Sequence, residues 1–457
     1  MRLEIPILDA GTVSATRALR RLAGRLSALE NLDSAALRAR TRKIFGKAMR
    51  PDQAVARIIA DVRTRGDGAL LAYAKLIDGV SLTLTALRVT GAEMRAAYKR
   101  TPAPLRKALE LSIARVAEYQ RRLLPADIAP EAARAGPGGV KSGLVWTPLR
   151  RVGLYVPAGT APLFSSVPML AVPAQVAGVT DIAVATPCRR DGRVDEGILC
   201  ACQILGLKEI YKLGGAQAIA ALAFGTRTIP AVDKIAGPGN LFVMLAKRAV
   251  FGHVDIDMLA GPSEVLIIAD DSADPACIAA DLLSQAEHDT LASCVLVTSS
   301  RAVAKKTVAE LGRQLAGLPR QETAAASLRE WGLILIARGL DEAARTANLL
   351  APEHLEIMTR HPGRLVPKLT SAGAIFVGPH APEALGDYLA GPSHALPTGG
   401  TARAFSGVSV YTFLRRTSVI EADAPGLAEL AEPTMVLAEA EGLEAHRRSV
   451  ACRLVLC

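Results

Sequence analysis

The chain has 457 residues, half of them hydrophobic, 21% charged and only 4% aromatic, with a formal net charge of +10. This is globular composition with room for two or three compact units, and it excludes a disordered chain. The positive charge admits an anionic ligand, but Lys and Arg come only in pairs such as Arg150-Arg151, Lys305-Lys306 and Arg415-Arg416, which argues against a nucleic-acid partner.

Residues 1–130 read as a helical N-terminal region. Apolar residues recur at helical spacing over Ala36–Met49 and Pro51–Ile77, the second stretch broken by Arg65-Gly66-Asp67-Gly68. Ala92–Leu124 is a further helical stretch, interrupted at Pro102 and Pro104. The pattern changes after Gly136-Pro137-Gly138-Gly139. Strands are expected at Val152–Val156, Asp181–Thr186, Glu209–Leu213 and Lys234-Ile235, separated by helices through Ala177 and over Asp195–Leu207 and Ala216–Phe224, and followed by Leu241–Val250. A second series runs Glu264–Ala269 (strand), Pro275–His288 (helix), Ser293–Thr298 (strand), Ala302–Leu315 (helix), Gly332–Ala337 (strand) and Leu340–Leu350 (helix). It ends with Leu355–Met358 (strand), Gly363–Leu369 (helix) and Gly373–Val377 (strand). Such alternation marks an α/β fold with parallel sheets. The expected architecture is two Rossmann-like parallel-sheet domains, 131–260 and 261–400, preceded by the helical region 1–130 and followed by a helical C-terminal tail, 401–457.

The opening Met1-Arg2-Leu3-Glu4-Ile5-Pro6 lacks the apolar segment of a secretory signal. No apolar run reaches the roughly 18 residues of a membrane span, so no membrane association is expected. Seven cysteines, an odd number with no Cys-x-x-Cys, read as reduced thiols in a cytoplasmic setting. Cys277 and Cys294 lie in apolar stretches and are expected in the core.

Two strings carry chemistry. Ser284-Gln285-Ala286-Glu287-His288-Asp289 places Gln285 and His288 three apart at a helix end, where both side chains can point at one atom. Two ligands do not close a metal site, but Asp387, His394 and His446 lie downstream. Gln285, His288, Asp387 and His446 together would form an N/O site, which suits a substrate-handling metal better than a structural zinc rich in thiolates. The second string, Ala351-Pro352-Glu353-His354, has the composition of a general acid/base pair; the plainer reading is a helix terminus with a surface Glu and a satisfied His. Glycine-rich turns follow strands at Val156-Pro157-Ala158-Gly159, Leu213-Gly214-Gly215-Ala216-Gln217 and Ala236-Gly237-Pro238-Gly239-Asn240, while Ala260-Gly261-Pro262-Ser263-Glu264 precedes one. Turns at strand C-termini are where open α/β sheets bind ligands, although no Gly-x-Gly-x-x-Gly fingerprint is present.

In order, these strings resemble the histidinol dehydrogenase family over Val152 to Arg453. The resemblance is carried by Val152–Val156, Gly214–Ala218, Lys234-Ile235 with Gly237–Asn240, Ala260–Glu264, Ser284–His288, Ala351–Glu356, Gly386–Tyr388, His394–Thr398, and Glu441–Leu443 with His446. It implies a zinc ion held by Gln285, His288, Asp387 and His446, a catalytic pair in Glu353 and His354, and NAD contacts at Tyr155, Gln217 and Asn240. Ser263, His394 and Glu441 match positions near the substrate, where Gln285, His288, His354, Asp387 and His446 also converge. The implied reaction oxidises L-histidinol to L-histidine with two NAD, the zinc holding the substrate's amino and imidazole nitrogens. The implied assembly is a homodimer whose tail crosses over, so that Glu441 and His446 complete the partner's site. Two positions depart from the family pattern: Ser393 stands where Asn is usual, and Ala158 stands in a turn that is usually Gly-Gly. Three other readings differ in chemistry: a related zinc/NAD dehydrogenase of another amino- or sulfo-alcohol, a zinc hydrolase, and a silent basic protein that binds nucleic acid.

Overall fold

The computed structural model describes residues 5–25, 34–129, 139–158, 162–259 and 261–455. The turn Gly136-Pro137-Gly138, Gly159, Ala260 and Cys457 lie outside the described residues. Thirteen strands are described: β1 (Ile7–Asp9), β2 (Val140–Pro148), β3 (Arg151–Tyr155), β4 (Asp181–Thr186), β5 (Glu209–Lys212), β6 (Lys234–Ala236), β7 (Asp255–Ile256), β8 (Glu264–Ala269), β9 (Ser293–Thr298), β10 (Gly332–Ile336), β11 (His354–Met358), β12 (Ala374–Val377) and β13 (Leu414–Ala422).

They form two parallel sheets and one antiparallel ribbon. The first sheet runs β5-β4-β3-β6-β7 and the second β1-β10-β9-β8-β11-β12. Counted from β3 and from β8, both contain the order 3-2-1-4-5, the first five strands of the doubly wound 3-2-1-4-5-6 order, with β1 added outside β10 in the second sheet. The strands are covered on both faces, which explains their near-continuous apolar runs. Period-two alternation divides each strand between two cores. In β8, Val265, Ile267 and Ala269 face one cluster while Leu266 and Ile268 face the other. In β4, Ala183 and Ala185 are parted from Ile182 and Val184 in the same way.

The N-terminal region serves both sheets. β1 pairs with β10 at the edge of the second sheet, and helix Val13–Ala23 adds Ala15 and Leu22 to that sheet's core. Helix Pro51–Arg65 instead packs Val55, Ile58, Ile59 and Val62 against the first sheet. Gly66 (φ 53) separates it from helix Asp67–Tyr73, where the sequence pattern places a break. β13 pairs antiparallel with β2. Beyond it, helices Ala424–Ala440 and Glu444–Leu454 pack chiefly on each other. Val436, Leu437 and Leu443 stay exposed there. No helix among the described residues is long and apolar enough to cross a membrane.

Two local expectations change. Residues 363–369 form two short 3-10 turns, Pro362–Arg364 and Val366–Lys368, rather than a helix, because Pro362 and Pro367 supply no backbone N–H. Cys277 is exposed, whereas Cys294 is buried. Helical period accounts for this: Ile278, Ala279, Leu282 and Leu283 take the inward face of helix Pro275–Ala286.

Candidate active site

β8 and β11 are neighbours, and the site is built where both begin. Glu264 opens β8, and His354 opens β11 beside Val265. The reactive side chains therefore lie at the amino edge of the second sheet, not at its carboxyl edge. The approach to β11 is strained. Helix Leu340–Leu350 ends at Ala351 in the left-handed region (φ 48), the one non-glycine with positive φ among the described residues. Pro352 follows, then the buried pair Glu353 and His354.

Glu264 organises that pair. Its backbone N–H donates to Glu353 Oε2 at 2.9 Å, and its carbonyl oxygen lies 3.1 Å from His354 Nδ1. A carbonyl can only accept, so Nδ1 carries the proton and Nε2 of the neutral ring carries the lone pair. Nε2 is buried without a hydrogen-bond partner, 3.7 Å from Asp387 Oδ1. The Glu264 carboxylate turns away, to Arg25 Nη1 (2.9 Å) and the Gly399 N–H (3.1 Å). Burial raises the Glu353 carboxyl to about 7. Burial alone would lower the His354 imidazole, but the carboxylates of Glu353, Asp387 and Glu383 outweigh it and lift it to about 10.

Against this pair lies a cluster of ligand atoms. His288, Glu383 and Asp387 each offer one within 4.8 Å of the others. Asp387 and Glu383 come from the short helix Glu383–Tyr388. His288 lies just beyond helix Pro275–Ala286, which ends two residues earlier than its spacing suggests. Burial lowers the His288 imidazole, favouring the neutral form that binds metals. Gln285 is buried beside them. Its amide is satisfied when Nε2 donates to Glu383 Oε1 (2.6 Å) and Oε1 shares the Glu264 N–H (2.7 Å) with Glu353 Oε2.

Glu383 was not singled out from sequence, nor were Glu264, Glu356, Asp281 and Arg25. Burial raises Glu383 to about 8, and Ser284 Oγ donates to it at 3.1 Å. Glu356 Oε1 accepts from the Glu383 backbone N–H at 2.8 Å. Burial, and the adjacent Asp281 carboxyl, push Glu356 up. One signal was present. In His354-Leu-Glu-Ile-Met358 the period of two puts Glu356 on the face of His354, and a carboxylate inside an apolar strand calls for a partner. The same holds for Glu264 at the head of Glu264–Ala269.

The other expected residues divide into three groups. His394 joins the site: its Nδ1 donates to the Asp387 backbone oxygen (3.0 Å), and Nε2 lies 3.3 Å from Ser166 Oγ. Ser263 directly precedes β8 and is partly buried. Ser393 Oγ donates to the Met169 carbonyl at 2.8 Å, so the hydroxyl ties this loop to helix Ser166–Val176. Ala158 does not have positive φ, so its methyl costs no backbone strain there. A second group lies at the carboxyl edge of the first sheet, near the switch point between β3 and β6. Tyr155 ends β3, and its hydroxyl accepts the Gly215 N–H at 3.1 Å. Gln217 is fully buried. Asn240 uses its side-chain oxygen to cap helix Leu241–Val250, accepting from Phe242 and Val243. Gly237 (φ 124) is required: a Cβ there would stand 2.2 Å from the Tyr155 carbonyl oxygen. The third group is Glu441 and His446, which are exposed on the tail helices and lie outside the His288–Glu383–Asp387 cluster.

The histidinol dehydrogenase family model matches residues 43–454. The chain is 47% identical over 449 residues to the histidinol dehydrogenase of Moorella thermoacetica, covering 98% of this chain and 99% of the relative. It is 49% identical to that of Halalkalibacterium halodurans over 401 residues, 88% of this chain and 93% of the relative. The crystal structure of histidinol dehydrogenase from Elizabethkingia anophelis superposes with a TM-score of 0.85 at 36% identity, covering 94% of this chain and 96% of that one. The match spans both sheets, the amino-edge site and the tail, and the chain belongs to the histidinol dehydrogenase family.

Proposed function

We propose that this enzyme oxidises L-histidinol to L-histidine in two NAD-linked steps, with His354 and Glu353 moving the protons and a zinc ion fixing the substrate. The overall change is L-histidinol + 2 NAD⁺ + H₂O → L-histidine + 2 NADH + 3 H⁺, written for the carboxylate product. The observation that carries this reading is the unpartnered Nε2 of His354 facing the His288–Glu383–Asp387 cluster.

The donor set fits a zinc ion: one imidazole, carboxylates and an amide, with no thiolate. Gln285, His288 and Asp387 would hold it from this chain. When bound, zinc supplies a positive centre that grips the substrate's amino and imidazole nitrogens. His446 would be the fourth ligand. Its place on the exposed tail supports supply from a second copy of the chain, with Glu441 of the same turn approaching the substrate. The exposed Val436, Leu437 and Leu443 suit a homodimer in which the tail is buried on the partner.

In the first oxidation, His354 acts in its neutral form, which positive charge bound among the surrounding carboxylates favours by offsetting the field that raises it; Nε2 takes the hydroxyl proton as hydride leaves the carbinol carbon. In the second, water adds to the aldehyde carbon as Glu353, raised to about 7, or His354 takes its proton; the hydrate so formed gives its hydride to the second NAD⁺, and the resulting carboxyl group loses the third proton. The Glu264 N–H and carbonyl hold both side chains through the two steps, so one pocket serves both. Tyr155, Gln217 and Asn240, at the turns of the first sheet, are the proposed NAD contacts. The test is stoichiometry: zinc-replete protein should form two NADH per L-histidine produced. Absence of NADH with L-histidinol, or one NADH with accumulation of free aldehyde, would refute the reading.

A further inference from the structure

Asp78 belongs to the N-terminal region, far in sequence from every motif above, yet it reaches the carboxyl edge of the first sheet. It ends the turn of wide helix Ala74–Asp78, and Gly79 (φ 70) turns the chain away behind it. Its Oδ2 accepts from Gln217 Nε2 at 3.2 Å. That bond settles which way the planar amide faces. With Nε2 turned to Asp78, Gln217 Oε1 points the other way, over Gly215, 2.9 Å from where a Cβ on that residue would stand. Gly215 has φ 65 and carries no side chain to block this approach. Its N–H is held in turn by the Tyr155 hydroxyl.

Gln217 is fully buried, and Oε1 has no hydrogen-bond partner. A buried amide oxygen without a donor is costly, and a native site leaves one open where a ligand fills it. What fits is a donor: a ribose hydroxyl or the carboxamide N–H of a dinucleotide. We propose that Asp78 is a positioning residue for the dinucleotide, orienting the Gln217 amide so that its oxygen receives the cofactor. This rests on the reading of Gln217 as a cofactor contact. Without Asp78 the amide is free to turn about its last side-chain bond and present two donors where an acceptor is needed. Arg40 supplies the cation whose field acts on Asp78, and its guanidinium lies 5.6 Å from the centre of the Phe242 ring, beside the Asn240 turn. The N-terminal helices thus take part in the site that the first sheet opens.

The test measures KM for NAD and for L-histidinol, and kcat at saturating NAD, in Asp78→Ala, Asp78→Asn and Gln217→Ala. Loss of one orienting hydrogen bond should raise KM for NAD roughly five- to tenfold in Asp78→Ala. Both kcat and KM for L-histidinol should stay within twofold. Asn keeps an acceptor oxygen, so Asp78→Asn should restore KM for NAD to within twofold of the parent; a purely structural role would show no such split or rescue. If Gln217→Ala raises KM for NAD but Asp78→Ala does not, the role of Asp78 is refuted while the cofactor site stands. If Asp78→Asn is as impaired as Asp78→Ala, orientation through the acceptor is refuted. If Gln217→Ala leaves KM for NAD unchanged, the cofactor reading of Gln217 fails, and the role of Asp78 with it.

Discussion

His354→Asn removes the proposed base while changing little else. The Asn amide nitrogen can donate to the Glu264 carbonyl, the bond that His354 Nδ1 makes at 3.1 Å. The Glu264 N–H remains on Glu353 Oε2. The buried carbonyl therefore stays satisfied, and the fold loses only ring packing against Phe376, whose centroid is 5.9 Å away. What disappears is the lone pair on Nε2. Positioned proton transfer is worth about 10²–10⁴ in rate, or roughly 3–5.5 kcal/mol of barrier at about 1.4 kcal/mol per decade. kcat for NADH formation should fall by that factor, with zinc content and thermal midpoint close to the parent. Protonation fills the Nε2 lone pair, so parental activity should fall as pH is lowered. In the variant hydroxide takes over the task, and activity should keep rising with pH where the parent has levelled off. A kcat within tenfold of the parent, in protein with full zinc, would refute His354 as the base.

Other outcomes follow from neighbouring geometry. Mixed dimers of inactive Glu353→Gln and His446→Ala chains should recover part of the activity, because one of the two sites then has an intact set; no recovery in verified heterodimers would place the site within one chain. Glu383→Gln should weaken zinc binding about 10–100-fold, since Glu383 orients Gln285 and stands in the ligand cluster; chelator competition that matches the parent would remove it from the site. Asp78 gives a pH signature in stability. Burial raises its carboxyl to about 6 from 3.8, so the folded state binds more protons than the unfolded state between these values. Its contribution to stability is therefore lost as pH rises from about 4 to 6, by roughly 2–3 kcal/mol. Asp78→Asn should match the parent near pH 4 and exceed its stability at pH 7 in denaturant titrations; an equal deficit at both values would contradict the sign.

Much of the second sheet was legible in sequence. Glu264–Ala269, Ser293–Thr298 and Leu340–Leu350 are bounded in the structure as the pattern places them, because apolar runs with strong turn signals leave little latitude. β1 was not legible: three residues carry no period, and its pairing with β10 is long-range. β13 was hidden by its own composition. Leu414–Ala422 is a mostly exposed ribbon strand with charges on both faces, so it shows no alternation. Glu383 escaped notice because its significance lies in contacts with Ser284 and Gln285, which no local pattern encodes.

Local sequence by itself determined the alternation of strands and helices, the break at Gly66, and the residue types at Glu353-His354 and Gln285–His288. These depend on side-chain period, backbone freedom and donor chemistry, all properties of neighbours along the chain. Tertiary structure alone decided the 3-2-1-4-5 order of both sheets, the site at the amino edge of β8 and β11, and the proton on His354 Nδ1, which the Glu264 carbonyl dictates. It also brought Asp78 to Gln217 and left His446 outside the cluster that His288 and Asp387 share. Each of these depends on contacts between residues distant in sequence, and such contacts arise only when the sheets close their cores.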